Sequence, residues 1–458
     1  MLAPSMQPKW KIDTYYIPLS DGIYLRGNNN RLILKGKSLY SLLERLIPNL
    51  DGNASLEEIT AGLDVNRKRM LTKLLEKLLA HDFLSDASQD QQHTLCPLEL
   101  ETYALNIAFI ESFQVSAASR FEDFRNKRLL LIGSGPCFTA LVQACLQSGV
   151  KKISAIITSE NATEASSRQE LLHVFANDTF EQTMDFIDAP SWNNEAEVGN
   201  TIQTYDAILH ISKKPLLARS QLLNRLCLEQ RKVFIQAILV ADRVWLGPLV
   251  CPETGGCWEC AWRRLQATLT DFSAQSLHYE FQDHFLSTDS ESLAGPGATI
   301  VANQLIFTLF QYFTRTNSSE VVGKLSAFDP TTLLSENHTF LPHPHCLACQ
   351  RSIVPTAVQF LEQIQWLQRQ EPEDPDMLLD KVAGCIDEKL GLFAAPNNRN
   401  FVQVPLAVYK VPISHPARRH SSEGSDIVAV GVDTRDAQRQ AVQKACMYYA
   451  ASLVDQRR

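Results

Sequence analysis

The chain has 458 residues and a formal net charge of −8 at pH 7, since 51 acidic residues outnumber 43 lysines and arginines. This acidic balance argues against general nucleic-acid binding, and the length allows about three domains. No apolar run approaches the length of a membrane span, and residues 1–11 lack the apolar core of a signal peptide. We therefore expect a cytoplasmic α/β protein with reduced thiols and no membrane partner.

The N-terminal segment, residues 1–90, predicts a winged helix. Short strands are predicted at 15–18, 23–26 and 32–34, separated by turn signals such as Asp21-Gly22. Three amphipathic helices are predicted to follow, at 38–47, 55–62 and 66–81, and Ser55 begins an S-L-E-E capping box.

The third predicted helix carries a basic outer face, which leaves three interpretations open. It could enter the major groove of DNA, it could support an extended peptide that pairs with the last strand, or it could be a solvated face without a ligand. For the peptide-binding interpretation, the candidate contact residues are Arg31, Leu32, Ile33, Leu34, Arg67, Lys68, Met70, Leu71 and Lys73.

The segment N-L-D-G-N-A-S-L-E-E-I at residues 49–59 resembles the recognition element of pathways that modify ribosomally made peptides. That element is similar to a small chaperone of quinone-cofactor synthesis, and the resemblance implies that it binds the leader of a precursor peptide. Such leaders are commonly acidic, which suits the basic helix.

The central segment predicts a Rossmann-like sheet. The run R-L-L-L-I-G-S-G-P places a buried strand before a tight turn at Gly133 and Gly135, and a helix is predicted at 139–149. Further strands are predicted at 152–157, 207–211 and 233–239, and their alternation with helices predicts a mostly parallel sheet.

The glycine turn is a poor cradle for a nucleotide phosphate. Pro136 has no N–H to donate, and Phe138 stands where G-x-G-x-x-G requires its third glycine. Thr158 and Ser159 occupy the positions after the second strand where an acidic residue is expected. We therefore favour a structural role for the turn and do not expect ATP as a cofactor.

Two Cys-x-x-Cys pairs predict a structural zinc site with four ligands, Cys257, Cys260, Cys346 and Cys349. The pairs are 86 positions apart (346 minus 260), so the metal would join elements that are distant in sequence. The alternative interpretations are buried apolar cysteines or a redox pair. His343 or His345 could replace one cysteine as a ligand.

The glycine turn, the S-G-V-K-K-I strand entry and the two zinc pairs together resemble the ThiF-like family of ubiquitin-activating-enzyme homologues. The resemblance covers about residues 121–350, within a predicted domain of residues 91–355. An Arg-Gln segment handles ATP in that family, which makes Arg168 in S-S-R-Q the best counterpart here, beside Gly133 and Gly135. The G-P-L-V, C-W-E-C and H-C-L-A-C segments also match homologues in thiazole and oxazole peptide synthesis.

The C-terminal segment, residues 375–458, predicts a small αβ domain. The run V-A-V-G-V-D-T-R-D at residues 428–436 resembles the opening of a YcaO domain, but the acidic metal-ligand clusters of that catalytic domain are missing. We expect a docking or vestigial piece, with a plain αβ domain as the alternative.

These resemblances imply a ThiF-like partner protein of thiazole- and oxazole-modified peptide (heterocycle-containing bacteriocin) biosynthesis. Such a protein binds a precursor leader and delivers the peptide to a separate YcaO cyclodehydratase, which uses ATP to form azolines. No catalytic residue is expected in this chain. A flavin-dependent azoline dehydrogenase and a second copy of the chain are further partners that the resemblance allows. The main alternative is an active ATP-dependent adenylating enzyme, and a DNA-binding transcription factor is a third interpretation.

Overall fold

The computed structural model of the chain describes residues 2–28, 30–158, 182–212, 216–240, 243–252, 255–268, 295–317, 322–344, 346–349, 356–371, 375–396, 401–414 and 425–453. The chain divides into two compact units. The first comprises Met1–Asn126 with Phe310–Ser318, and the second comprises Lys127–Leu309 with Ser319–Arg458. The three-domain layout of the sequence analysis stays a prediction.

The first unit begins with the strands and helices that the sequence predicts. The strands are β1 (Pro8–Trp10), β2 (Tyr15–Leu19), β3 (Gly22–Arg26), β4 (Arg31–Lys35) and β5 (Leu84–Asp86). A three-stranded antiparallel sheet has the order β2-β3-β4, and a separate pair joins β1 to β5. Between β4 and β5 lie the helices Leu39–Leu46, Leu56–Ile59 and Val65–Ala80. Short 3₁₀ turns follow at Ile47–Asn49 and Ala87–Gln89.

Local capping explains where two of these helices begin. The Ser55 hydroxyl accepts a hydrogen bond from the Glu58 N–H, and the Glu58 carboxylate accepts one from the Ser55 N–H at 2.7 Å, which confirms the predicted capping box. The Asp64 carboxylate caps the longest helix of the group. The apolar face of that helix packs into one core with β3 and β4, through Leu71, Leu75, Leu78, Ile23, Leu25 and Leu34.

The sequence between the N-terminal and central segments predicts one helix over residues 98–113. That prediction is wrong, because the structure has two helices there, Pro97–Thr102 and Ala104–Glu111. The interruption is Tyr103, whose φ of −102° and ψ of 19° are not helical. Its ring packs against Phe121, with the ring centroids 5.1 Å apart, and lies under the Arg125 guanidinium at 4.9 Å. Both of these partners belong to the helix Ala117–Arg125.

The second unit is built on an eight-stranded sheet. Its strands are β6 (Arg128–Gly133), β7 (Lys152–Ile157), β8 (Thr183–Phe186), β9 (Ala207–Ser212), β10 (Val233–Val240), β11 (Arg243–Leu246), β12 (Lys324–Phe328) and β13 (Ser335–Thr339). The strand order is β13-β12-β11-β10-β9-β6-β7-β8. The segment β10-β9-β6-β7-β8 is parallel, as predicted, whereas β11, β12 and β13 extend the sheet with antiparallel pairs. The accompanying helices are Gly135–Gln147, Glu195–Ile202, Leu217–Glu229, Trp258–Thr268 and Pro296–Thr314.

The helix after β6 begins four residues earlier than predicted. It starts at Gly135, whose φ of +79° suits glycine, and Pro136 occupies its first turn. Proline is favoured in the first turn because a backbone N–H at that position has no intrahelical acceptor, so its absence in proline costs no hydrogen bond. Pro136, which weakens the nucleotide motif, therefore also helps to begin the helix.

The C-terminal part of the second unit is a two-stranded antiparallel sheet with a long helix. Strands β14 (Ala407–Ile413) and β15 (Ser425–Gly431) pair in register, and the helix Thr434–Ser452 packs on them through a core that includes Val411, Ala441 and Val442. Two further helices, Ala357–Arg369 and Pro375–Ala383, precede this sheet. None of the helices in the described part of the chain combines the length and apolar character that a membrane span needs.

Candidate metal centre and peptide-binding edge

The four predicted zinc ligands lie together although the two pairs are distant in sequence. The Sγ atoms of Cys257 and Cys346 are 3.5 Å apart, those of Cys260 and Cys349 are 3.3 Å apart, and all four lie within 4.8 Å of one another. Within the pairs the Sγ separations are 3.9 Å and 3.6 Å. Three of the four cysteines are buried, and Cys349 is partly buried.

Each pair is held by a local turn. Cys257 directly precedes the helix Trp258–Thr268, and Cys260 lies in the first turn of that helix. In the second pair, the Cys346 N–H donates to the His343 carbonyl at 3.0 Å. A cluster of buried apolar residues surrounds the thiols, including Trp258 and Trp262, whose stacked rings are 5.8 Å apart.

The sulfur geometry fits a tetrahedral zinc ion. Zinc–thiolate bonds of about 2.3 Å place the sulfurs of a regular tetrahedron roughly 3.8 Å apart, close to the separations in the protein. In the described part of the chain, the grouped ligand atoms are those of the four cysteines and do not include His343. The predicted alternative ligand His345 lies outside the described residues. The quartet would hold zinc as a closed structural site, with no open position for a substrate.

The ionisation of the thiols also favours a cation. The hydrogen bond between Cys257 and Cys260 raises the pKa of Cys257 and lowers the pKa of Cys260. The cluster therefore shares protons, because four buried thiolates would repel one another. A divalent cation supplies the charge that allows all four to ionise.

Arg264 joins the two halves of this centre, and the sequence analysis did not identify it. Its side chain is buried, its Nε donates to the Leu341 carbonyl at 2.6 Å and its Nη2 donates to the Pro342 carbonyl at 2.9 Å. The guanidinium thus links the helix of the first pair to the segment before the second. Composition and spacing give no signal for it, because its partners are backbone atoms 77 and 78 residues away.

The glycine turn is closed over by protein. A Cβ atom on Gly133 would lie 2.6 Å from Ile211 Cγ2 and 2.9 Å from the ring of Phe138, which is fully buried. The ring of Phe138 thus lies directly against the turn glycine. Gly133 and Gly135 lie together in this turn, whereas Arg168 and Ser159 lie outside the described residues.

The candidate peptide contacts divide into exposed and buried groups. Arg31, Ile33, Arg67, Lys68, Met70 and Lys73 are exposed, and Leu32 is partly buried. Leu34 and Leu71 are core residues with 5% and 7% of their surface exposed, so their side chains are closed to a ligand. Arg67 forms an exposed ion pair with Asp64 at 3.2 Å.

Strand β4 lies at the edge of its sheet and is hydrogen-bonded to the end of the helix Val65–Ala80. In the described part of the chain, β4 pairs with β3 alone. The Asn30 side-chain amide, just before β4, donates to the carbonyls of His81 and Asp82 at 2.7 Å and 3.0 Å. The strand and the helix Val65–Ala80 therefore form a connected pair of elements.

Hydrogen bonds at the two ends of the β3-β4 pair show which groups face outward. The Gly27 N–H donates to the Asn30 carbonyl at 3.0 Å, and the Gly36 N–H donates to the Asp21 carbonyl at 2.7 Å. Bonded and non-bonded pairs alternate along an antiparallel ladder, and the register pairs Ile33 with Tyr24. The alternation places the N–H and C=O of Ile33 on the outer edge of β4.

The opposite edge strand is protected against pairing. Pro18 in β2 pairs with Ile23, and the same alternation places the Pro18 nitrogen on the outer side. Proline lacks an N–H, and it is a common device that prevents strand addition at an edge. The two edges of this sheet therefore differ in their capacity to accept another strand.

No protein-family model matches the sequence, and a sequence comparison with curated proteins finds no match. Solved structures do share the fold. A heterocyclase in complex with substrate and cofactor aligns with a TM-score of 0.58 and 14% identity, over 97% of this chain and 54% of that chain. The heterocyclase TruD aligns with a TM-score of 0.51 and 16% identity, over 85% of this chain and 49% of that chain.

A third similar structure is Escherichia coli MccB with MccA-N7isoASN, at a TM-score of 0.51 and 13% identity. The alignment covers 75% of this chain and 99% of that chain. The present chain therefore spans about half the length of the two heterocyclases and contains nearly the whole MccB fold. At these identities, the likeness establishes a shared fold.

Proposed function

We propose that the chain binds the leader of a ribosomally made precursor peptide and presents the peptide to a separate YcaO cyclodehydratase, which forms azolines. The fold similarity to a heterocyclase in complex with substrate and to MccB with MccA-N7isoASN supports this assignment.

The observation that carries the proposal is the open edge of β4. An extended leader would add a fourth strand there, with main-chain hydrogen bonds to the outward N–H and C=O of Ile33. Pro18 blocks the same reaction at the β2 edge. A peptide that adds as a strand is bound through its backbone groups. This mode of binding therefore suits a ligand whose downstream core sequence varies.

The helix Val65–Ala80 would supply the side-chain contacts. Residues three and four apart share one face of a helix, so Met70, Lys73 and Lys77 form one exposed flank. Lys68 lies roughly 140° away from Lys73 around the helix axis. A single bound strand would contact one flank, and we assign it to Met70 and Lys73 because they combine an exposed apolar side chain with a positive charge.

Such a chain would raise the effective concentration of the peptide substrate at the partner enzyme. Once the leader is held, the downstream residues meet the bound partner as an almost intramolecular substrate, and millimolar effective concentrations are typical for short flexible tethers. No catalytic group of this chain takes part. The metal centre would keep the second unit folded during repeated binding and release.

An active adenylating enzyme is the competing function, because MccB, whose fold the chain shares, has been solved with ATP. Phe138 against Gly133 and the absent N–H of Pro136 weigh against a phosphate cradle. Exchange of pyrophosphate into ATP by the purified chain, measured without a partner protein, separates the two functions. We expect no exchange, and robust exchange would overturn the scaffold assignment.

Replacement of Ile33 tests the edge strand. Ile33→Pro removes the outward N–H but keeps the ladder to β3, whereas the matched control Ile33→Thr keeps the N–H and a β-branched side chain. Fluorescence anisotropy would follow a labelled leader from a candidate precursor peptide, with the purified chain as receptor. Loss of one main-chain hydrogen bond predicts about 1 kcal/mol, or roughly fivefold weaker binding, for the proline variant. Equal affinities of the two variants would contradict strand addition.

A further inference from the structure

Asn224 contacts the metal centre from outside both cysteine pairs. It lies on the helix Leu217–Glu229, 33 residues before Cys257, and its side chain is fully buried. The side-chain oxygen accepts a hydrogen bond from the Trp258 N–H at 3.1 Å, and the side-chain nitrogen lies 3.5 Å from Cys257 Sγ. The hydrogen bond with Trp258 identifies the side-chain oxygen of Asn224, so the group that faces Cys257 Sγ is the NH₂ group. The amide is therefore the donor to the sulfur.

A zinc ion with four thiolates carries a net charge of −2. Three of the four cysteines are buried, so water solvates that charge poorly, and hydrogen-bond donors around the sulfurs compensate for it. Outer-shell donors of this kind also orient the ligands and tune metal affinity. The Asn224 amide supplies such a donor. Asn224 lies on the helix Leu217–Glu229, outside both cysteine turns.

We propose that Asn224 is a positioning residue of the zinc centre, which donates an N–H···S hydrogen bond to the Cys257 thiolate. The same amide holds the Trp258 N–H, at the residue that follows this ligand. Asn224 therefore stabilises the negative charge of the Cys257 thiolate and orients this ligand. It joins the metal centre to the helix Leu217–Glu229, which connects β9 to β10.

Zinc affinity of the full-length chain tests this role. Asn224→Asp keeps an oxygen for the Trp258 N–H but replaces the donor with an oxygen that repels the thiolate. Competition with a chromophoric chelator should show a zinc affinity that is about 10- to 100-fold weaker in this variant. Ser220→Ala is the matched control, because Ser220 is fully buried one turn earlier on the same helix and bonds only the Leu216 carbonyl among the described residues. We expect wild-type affinity for that control.

A purely structural role makes a different prediction. If Asn224 had only that role, Asn224→Asp would lower the melting temperatures of the metal-free and metal-bound protein equally and leave the zinc affinity unchanged. That result would overturn the proposal. A wild-type chain that binds no zinc would also overturn it.

Should Asn224→Asp fail to fold, the wild-type protein carrying ¹¹³Cd and ¹⁵N-asparagine provides a second readout. The N–H···S bond predicts scalar coupling between one asparagine side-chain amide proton and the metal. Absence of that coupling in a fully loaded sample would contradict the assignment.

Discussion

Charge reversal at Lys73 and at Lys68 should have unequal effects on leader binding. Both side chains are exposed lysines on the same helix, so the two substitutions change the net charge by the same amount. Their positions differ by five residues, which corresponds to roughly 140° around a helix of 3.6 residues per turn. An acidic leader seated against Met70 would approach Lys73 and not Lys68.

The magnitude follows from the exposure of these groups. Exposed ion pairs contribute about 0.2–1 kcal/mol, and two unit charges 4 Å apart in water interact by about 1 kcal/mol. Reversal replaces attraction with a repulsion of similar size, which predicts a loss of about 0.4–2 kcal/mol. We therefore expect Lys73→Glu to bind the leader about 2- to 30-fold more weakly than the wild-type chain.

Fluorescence anisotropy at two salt concentrations provides the assay. The difference between wild type and Lys73→Glu should shrink as salt rises, since the screening length is about 8 Å at 0.15 M and about 3 Å at 1 M. Lys68→Glu serves as the matched control and should bind within about twofold of the wild-type chain at both concentrations. Equal losses in the two variants, or a loss only in Lys68→Glu, would refute the assignment of the peptide to the Met70 flank.

Three further predictions concern stability. Arg125 is fully buried and its Nε donates to the Glu99 carboxylate at 3.1 Å, so Arg125→Met should lower the free energy of unfolding by about 3–5 kcal/mol in urea denaturation. A loss below about 1 kcal/mol would show that the pair is dispensable. Burial raises the pKa of Glu99, but hydrogen bonds from Cys96 and Arg125 outweigh that effect and lower it. The resulting stabilisation is complete above the ordinary pKa of 4.5 and is lost as pH falls further, and a Glu99→Gln variant should lack this acid-dependent loss. Chelation of zinc should lower the melting temperature of the wild-type chain and leave that of Cys257→Ser unchanged, whereas equal responses would argue against a four-cysteine site.

Local sequence signals predicted the elements that depend on neighbouring residues. The strand at 152–157 has the predicted bounds, and the Ser55 capping box is present, because alternation and capping act over a few positions. The cysteine quartet was also predictable, since each Cys-x-x-Cys spacing is a local pattern and zinc chemistry supplies the link between the pairs.

Tertiary contacts decided the features that the sequence analysis missed. The helix predicted at 98–113 is interrupted because the ring of Tyr103 packs on Phe121 and Arg125, which follow it by 18 and 22 residues. No local sequence pattern predicts the roles of Arg264 and Asn224, because their hydrogen-bond partners lie 77 and 33 residues away. The antiparallel extension of the sheet also depends on long-range pairing, between Trp245 and Ala327 among others.

Reconstitution of azoline formation tests the central claim most directly. A candidate precursor peptide and a candidate YcaO cyclodehydratase would be incubated with ATP, with and without the purified chain. Mass spectrometry would count the water molecules lost from the peptide. The proposed function predicts rapid loss of water only when the chain and an intact leader are both present, and slower loss with Ile33→Pro. Equal rates with and without the chain would contradict it.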